Sequence, residues 1–348
     1  MFLKIKIRVE KELSSYGRSI DRLYSLNKLS PTLFKSIKEF ILREGKRIRP
    51  ILFCIGYKGF SKKTPPGLYR SALSLELLHD FMLVHDDIID KSDMRRGKPS
   101  MHTLLKRCLY KNKEAKFSGE DLAIVAGDVM YAMALDAFLA VKEDLRRKEE
   151  SLKKLISAAL YTGSGEFIEL LLGAKRIEKV TQQDIYKIYD YKTANYTFAS
   201  PLTMGAVLAG AKTAQIKKLF SYGILLGRAF QVRDDIIGTF GEEKTTGKPN
   251  LTDIKEAKRT LLIWHAFHHA NKKDKLIIKK IMGGKLTRNT ELLKMRRIII
   301  KTGSLAYAQG QIKYLYSKAA KQINSLKMDR KYKQALSEFS QGILLGKK

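Results

Sequence analysis

The chain has 348 residues, 44% of them hydrophobic, and a formal net charge of +32. That length is enough for one large domain or two modest ones with most of the apolar surface buried. Two cysteines, Cys54 and Cys108, without a CxxC spacing, exclude a disulfide framework and fit free thiols in a reducing cytosol.

The opening MFLKIKIRVEKEL interleaves charge with every few apolar residues, so it holds no signal-peptide core. No run of about 18 uninterrupted apolar residues exists. The nearest, TFASPLTMGAVLAGA, is short and contains Pro201. A soluble, cytoplasmic protein with at most peripheral membrane contact is expected. The positive charge raises the question of nucleic acid, but lysine and arginine are spread along the whole chain without an aromatic stripe or a recognition signature. Specific nucleic-acid binding is not expected. The charge equally suits anionic small molecules or acidic lipid surfaces.

Apolar residues recur at three- and four-residue spacing throughout, which predicts helices. Ser30-Pro31 opens a helix that Gly45 ends, and Pro50 begins the next, ILFCIGYKGF. After SKKTPPG a long helix, LYRSALSLELLHDFMLVHDDIID, runs to Asp90, and MHTLLKRCL follows Gly97 and Pro99. LAIVAGDVMYAMALDAFLAV is almost wholly apolar and must be central. Further helices are expected over 150–172, 182–199, 202–210, 214–238, 254–270, 272–282, 289–301, 303–325 and 330–345. Without a low-complexity linker, a repeat or lasting strand alternation, the economical reading is one all-α domain over 1–348.

The long fifth stretch ends in His85, Asp86, Asp87 and Asp90, with Arg95, Arg96 and Lys98 just beyond. Buried charges are costly unless paired or bound to metal. Asp86 and Asp90 are four residues apart and share a helix face, with Asp87 to the side. Residues 227–260 repeat the theme: GRAFQVRDDIIG carries Asp234 and Asp235, and Lys248 and Lys258 follow. Two apolar helices ending in carboxylates can face one another across a cavity. Such oxygens suit Mg²⁺, which takes few protein ligands and completes its shell with water and phosphate oxygens. The neighbouring Arg and Lys side chains then serve as phosphate partners. One DDxxD alone would be read as a solvated helix end; two, each with basic residues following, point to a metal–diphosphate site.

Several separated motifs, in order, carry a resemblance over nearly the whole chain: EGKRIRP, ELLHDFMLVHDDIIDKSDMRRGKPSMH, AIVAGDVMYAMA, YKTANYTFASPLTMGAVLAG, FQVRDDIIG and KTGSLAYAQGQIKYLYSKAAKQI. The sequence resembles the trans-isoprenyl diphosphate synthases, or polyprenyl synthetases, and among them the archaeal-type geranylgeranyl diphosphate synthases. The resemblance implies an all-α isoprenoid synthase helical bundle around a deep central cavity, working as a homodimer. It implies head-to-tail condensation of isopentenyl diphosphate with dimethylallyl, geranyl or farnesyl diphosphate, with several Mg²⁺ ions, about three to a site. Asp86 and Asp90 match the first metal motif and Asp234 the leading ligand of the second. Lys46, Arg49, His79 and Arg96 match the isopentenyl diphosphate pocket. Arg95, Lys192, Thr193, Gln231, Lys248 and Lys258 match the allylic diphosphate clamp. Gly238 stands where many members have a third acidic residue, which removes a carboxylate from the second motif.

The reaction such residues would serve ionises an allylic diphosphate, so positive charge must meet the leaving group while an apolar wall shields the cation. Asp86, Asp90 and Asp234, with Arg95 and Lys192, are the expected catalytic set. His79 lies seven residues, two helical turns, before Asp86 and so on its face, where phosphate contact is expected; His85 and His102 read as structural. Phe81 and Met82 would close the cavity that takes the growing tail. In similar enzymes an aromatic at the position of Phe81 accompanies a twenty-carbon product, so geranylgeranyl diphosphate is expected, with farnesyl diphosphate as intermediate or secondary product. The alternatives are a farnesyl or longer-chain synthase, a cyclase or head-to-head enzyme, and a catalytically silent regulatory subunit. GKRIR argues against the cyclase, because a second diphosphate needs its own basic site. The presence of every charged element argues against the silent subunit.

Overall fold

The computed structural model describes residues 1–109, 116–241, 258–283 and 289–345. The chain divides into two compact units, Met1–Leu155 with Met204–Gly210, and Ile156–Thr203 with Ala211–Lys348. The described residues are helical almost throughout, with a single two-stranded hairpin.

In the first unit, α1 (Phe2–Tyr24) buries Ile5, Val9, Leu13, Tyr16 and Ile20 at helical spacing. The Tyr16 hydroxyl donates to Met133 O at 2.8 Å. This helix follows from the same 3.6 periodicity as the others, although interleaved lysines disguise it in the sequence. After α2 (Leu26–Leu29), α3 (Pro31–Ile41) starts with proline at its first position, as expected. Then α4 begins at Ile48, two residues before Pro50, because Arg47 caps it in a left-handed conformation (φ 52°). α5 (Leu68–Ile89) is buried along most of its length and packs on α7 (Gly119–Leu139). There Gly127 admits the His85 ring, whose Cε1 would lie 2.5 Å from any Cβ added to the glycine. A capping box of Ser118 and Asp121 starts α7. Between them lie the hairpin β1 (Met94–Arg95) and β2 (Lys98–Pro99) and the helix α6 (Met101–Leu109).

In the second unit the helix α8 (Leu145–Ala174), which begins in the first, ends before a 3₁₀ turn at Ile177–Lys179. The chain continues through α9 (Gln182–Ile188) into a π-helix, Tyr189–Ala199, and on into α10 (Ser200–Leu208). The expected break at 199–202 is absent. The shift from i→i+5 to i→i+4 bonding lets Pro201, which has no N–H, sit inside the continuous helix. α11 (Thr213–Phe240) is the centre of this unit, packed on the π-helix and on α15 (Ser304–Asn324). Gly223 and Gly227, one turn apart, bring it close to the π-helix: a Cβ on either would come within 2.5 Å of Ala199 or Ala194. α12 (Leu261–His269), α13 (Lys272–Met282), α14 (Asn289–Lys301) and α16 (Arg330–Leu345) complete the element order.

Although no uninterrupted apolar run exists, α7 and α8 are long and apolar enough by length and composition to cross a membrane, with mean hydropathies of 1.7 and 1.3. Their outward faces expose Ile124 and Val125 on α7, and Leu160, Phe167, Leu170 and Leu171 on α8.

Candidate active site

Asp86 and Asp87 lie in the last turn of α5, and Asp90 is its C-cap, with its N–H on Asp86 O at 2.8 Å. Helix carbonyl ends carry partial negative charge, so three carboxylates there make a strong attractor for cations. The hairpin supplies one. Arg96 and Gly97 form its two-residue tip with φ of 54° and 72°, the left-handed pair a tight hairpin requires and one that costs a non-glycine residue some strain. The fold-back aims Arg95 at the helix end: its Nε is 2.7 Å from Asp87 Oδ1, and Nη2 bonds the same oxygen and lies 3.3 Å from Asp86 Oδ2. Asp87 is fully buried; burial pushes its carboxyl up and Arg95 pulls it back. Asp87 is thus the anchor for Arg95, while Asp86 and Asp90 keep partly exposed oxygens one turn apart.

Within GKRIR the structure separates three cations. Arg47, 1% exposed, is spent internally: it donates to Glu10 at 2.8 Å, Glu76 at 2.7 Å, Ile41 O and Arg43 O. Lys46 is exposed and Arg49 half-buried on the first turn of α4. His79 is close enough to Arg49, Arg96, Arg95 and Arg47 that burial first, then these charges, hold it well below the ordinary imidazole range. It is therefore neutral at pH 7. Arg49 and Arg96 both act on His79, so the three stand near one another. His85 Nδ1 donates to Phe81 O at 3.1 Å and the ring packs on α7, and His102 is buried beside Ser100. Phe81 is half-buried, its ring 4.6 Å from His85 and 5.4 Å from Tyr131 of α7; Met82 is half-buried beside it.

In the second unit the adjacent aspartates do not end their helix, since α11 runs on through Gly238 to Phe240. Asp235 is buried. It accepts from the Tyr189 hydroxyl and, at 2.9 Å, from Gln231 Nε2. Gln231 in turn accepts from Thr193 at 2.7 Å, and Tyr189 accepts from Leu261 N at 2.9 Å. Burial and Asp235 push the Tyr189 phenol well up, so it remains the donor. This chain of bonds locks the π-helix to α11 and leaves Asp234 exposed. Lys192, on the π-helix, is ion-paired to Glu166 at 2.5 Å and to Glu169, both of α8. Lys258 is half-buried, and Lys248 lies outside the described residues. The structure adds contacts that the motifs do not announce: Tyr189 against Asp235, and Glu166 and Glu169 against Lys192.

The exposed donors are all carboxylate oxygens, the hard ligands Mg²⁺ prefers. Among the described residues no group of three or more His, Cys, Asp or Glu forms a ready-made metal cage. Each cluster offers instead the one or two carboxylates that Mg²⁺ takes when substrate phosphates complete its shell.

Helices of this order, with aspartates at the end of α5 and a basic hairpin set against them, make an all-α protein with acidic and basic groups side by side. A model of the polyprenyl synthetase family matches residues 30–299, and the chain belongs to that family. It is a prenyltransferase. It is 30% identical over 304 residues to a short chain isoprenyl diphosphate synthase of Methanocaldococcus jannaschii, covering 87% of this chain and 83% of that one. It is 30% identical over 300 residues to a geranylgeranyl diphosphate synthase of Sulfolobus acidocaldarius, 85% of each. A crystal structure of a geranylgeranyl pyrophosphate synthase from Corynebacterium glutamicum, complexed with isoprenyl diphosphate and magnesium, superposes with a TM-score of 0.89 at 26% identity over 98% of both chains.

Proposed function

We propose that this protein, acting as a single polyprenyl synthetase domain, condenses isopentenyl diphosphate head-to-tail with dimethylallyl, geranyl and farnesyl diphosphate to give geranylgeranyl diphosphate. The observation that carries it is the division of labour at the end of α5: Asp87 is buried under Arg95, while Asp86 and Asp90 face outward. Asp86, Asp90 and Asp234 would hold Mg²⁺, about three ions to a site, which when bound supplies positive charge to the departing diphosphate.

Lys46, Arg49, His79 and Arg96 bind isopentenyl diphosphate. Arg95, Lys192, Lys248 and Lys258 bind the allylic diphosphate, with Thr193 and Gln231 at its uncharged edge. As the allylic C–O bond breaks, these cations stabilise the diphosphate. Phe81, Met82 and Tyr131 offer apolar and aromatic surface to the tail and keep water from the cation. The π-electrons of isopentenyl diphosphate form the new C–C bond. A proton leaves the adjacent carbon to the released diphosphate, and the new double bond closes the step. No side-chain nucleophile is used.

The exposed apolar side chains of α7 and α8 support a homodimer, in which a second copy covers them; the same assembly gives a cytoplasmic enzyme. Purified protein given isopentenyl diphosphate, each allylic starter and Mg²⁺ should yield a twenty-carbon diphosphate, sized after dephosphorylation. Failure to extend any starter would overturn the reading.

A further inference from the structure

Two helices of the second unit turn isolated aliphatic side chains outward among cations. On α13, Leu276 is 59% exposed, and Lys272, Lys273, Lys279 and Lys280 stand three or four residues from it on either side. Residues at that spacing share a helix face, so the lysines surround the leucine. On α14, Leu293 and Ile300 are 49% and 59% exposed and lie two turns apart. Arg296 and Arg297 are three or four residues from both. The opposite faces are ordinary core, Ile278 and Ile281 on α13, Met295 and Ile299 on α14. The two helices pack on one another, and Lys301 ties them by pairing with Asp274 at 2.7 Å. Some of the charge is used within the fold: Lys279 pairs with Glu178 at 2.6 Å, and Arg296 donates to Thr239 O. Among the described residues, Lys272, Lys273, Lys280 and Arg297 meet no carboxylate at ion-pair distance. Asp274 and Glu291 are the only acids on the two helices, against five lysines on α13 and four cations on α14.

We propose that α13 and α14 form a peripheral docking surface for an anionic lipid bilayer, with Leu276, Leu293 and Ile300 entering the headgroup layer and the cations around them meeting lipid phosphates. Charge complementarity and the aliphatic centres select this occupant together. A bilayer offers both a negative surface and, just beneath it, somewhere for an aliphatic side chain to leave water. Lysine and arginine stems can lie along the same apolar boundary while their charged ends reach the phosphates. Nucleic acid supplies the phosphates but nothing for Leu276 or Ile300, and neither helix carries an aromatic ring to stack on a base. A second copy of the surface would set lysine against lysine. None of these residues is assigned to the diphosphates or to the homodimer, and the surface gives part of the +32 net charge a use. Docking would also place the enzyme beside the membrane that receives a long prenyl chain. That consequence rests on the function proposed above; the binding itself does not.

The test is flotation of the full chain with vesicles of phosphatidylcholine alone, or with about one third phosphatidylglycerol, at about 0.15 M salt. The wild type should float with the anionic vesicles and not with the neutral ones, and about 1 M salt should suppress the binding. Lys273→Gln with Lys280→Gln should weaken it about fivefold for each charge removed. Leu276→Gln with Ile300→Gln should weaken it roughly tenfold. Lys62→Gln with Lys63→Gln takes the same charge from exposed positions in the other unit, and should change it less than about twofold. All these side chains point outward, so melting temperatures should match the wild type. An equal loss in the Lys62 and Lys63 pair would overturn the proposal in favour of diffuse charge. Unchanged flotation of the Leu276 and Ile300 pair would overturn it by showing that no side chain enters the lipid. Binding of poly-uridine RNA without flotation on anionic vesicles would assign the surface to nucleic acid instead.

Discussion

Arg95 and Asp87 are joined back across the hairpin, Nε to Oδ1 at 2.7 Å, on a carboxylate that solvent does not reach. The pair explains why two adjacent aspartates of one motif should respond differently to substitution. Asp86→Ala removes a partly exposed oxygen donor at a helix end, so turnover should nearly vanish while helicity and melting temperature hold. Asp234→Ala should behave alike. Asp87→Ala leaves Arg95 with only the longer contact to Asp86, and should cost about 2–3 kcal/mol of stability as well as activity. Thermal melts beside single-turnover assays distinguish the two. Wild-type turnover in Asp86→Ala or Asp234→Ala would sink the metal assignment.

Lys46 and Arg47 of GKRIR should likewise part company. Lys46→Ala should chiefly raise KM for isopentenyl diphosphate, and Lys248→Ala should act on the allylic substrate. Each removes one charge-assisted contact of about 1.5–3 kcal/mol, or roughly 10- to 150-fold. Arg47→Ala is different in kind: it strands Glu76 in the interior and should cost about 3–5 kcal/mol, seen first as a lower melting temperature. Exchange of the two KM effects would mean the pockets are reversed.

That contrast shows how far the sequence could be read. The three- and four-residue spacing of apolar residues made the helical fold legible, and the spacing of Asp86 and Asp90 placed them one turn apart at a helix end, because both patterns lie in plain view along one element. Spacing does not say which of Lys46, Arg47 and Arg49 turns inward. Nor does it reveal a partner distant in sequence, such as Glu10 for Arg47 or Tyr189 for Asp235. The π-helix was hidden for the same reason: Pro201 reads as a breaker until the bonding register around it is known. α1 is hard to read because Lys4, Arg8 and Lys11 interleave with the buried Ile5, Val9 and Leu13.

Lys192 is held by Glu166 and Glu169, which compete with any phosphate for its ammonium group. Neutralising one of them should release it. Glu169→Gln should lower KM for the allylic substrate about three- to fivefold, a change on the order of 1 kcal/mol for a partly exposed pair. An unchanged or higher KM would show that the glutamates orient Lys192 and do not restrain it.

His79 gives a pH signature. Its folded-state affinity for protons is depressed, so below the ordinary imidazole value of 6.5 the unfolded chain takes up a proton that the folded chain refuses. Stability is therefore fully present above pH 6.5 and declines as pH falls from there toward the lower folded value. His79→Gln should flatten that part of a melting-temperature profile. A variant profile parallel to the wild type below pH 6.5 would assign the decline to other groups.

The last outcome concerns product length. A growing tail must run away from Asp86 along α5 toward the core, and Phe81 lies five residues back, about 7.5 Å along the axis. Its ring does not stand alone: it packs 5.4 Å from Tyr131 and 4.6 Å from His85, so the proposed barrier would be an aromatic pair spanning α5 and α7. His85 is pinned by Phe81 O and by the space over Gly127, so it cannot swing into a gap left by Phe81. Phe81→Ala should therefore open the floor and lengthen the product by one or more five-carbon units with activity retained. Tyr131 should still obstruct part of the path, so Tyr131→Ala alone should lengthen the product less, and the double variant more than either. Chromatography of dephosphorylated products reads all three. If Phe81→Ala leaves the distribution unchanged while Tyr131→Ala shifts it, the floor lies on α7 and Phe81 is core packing.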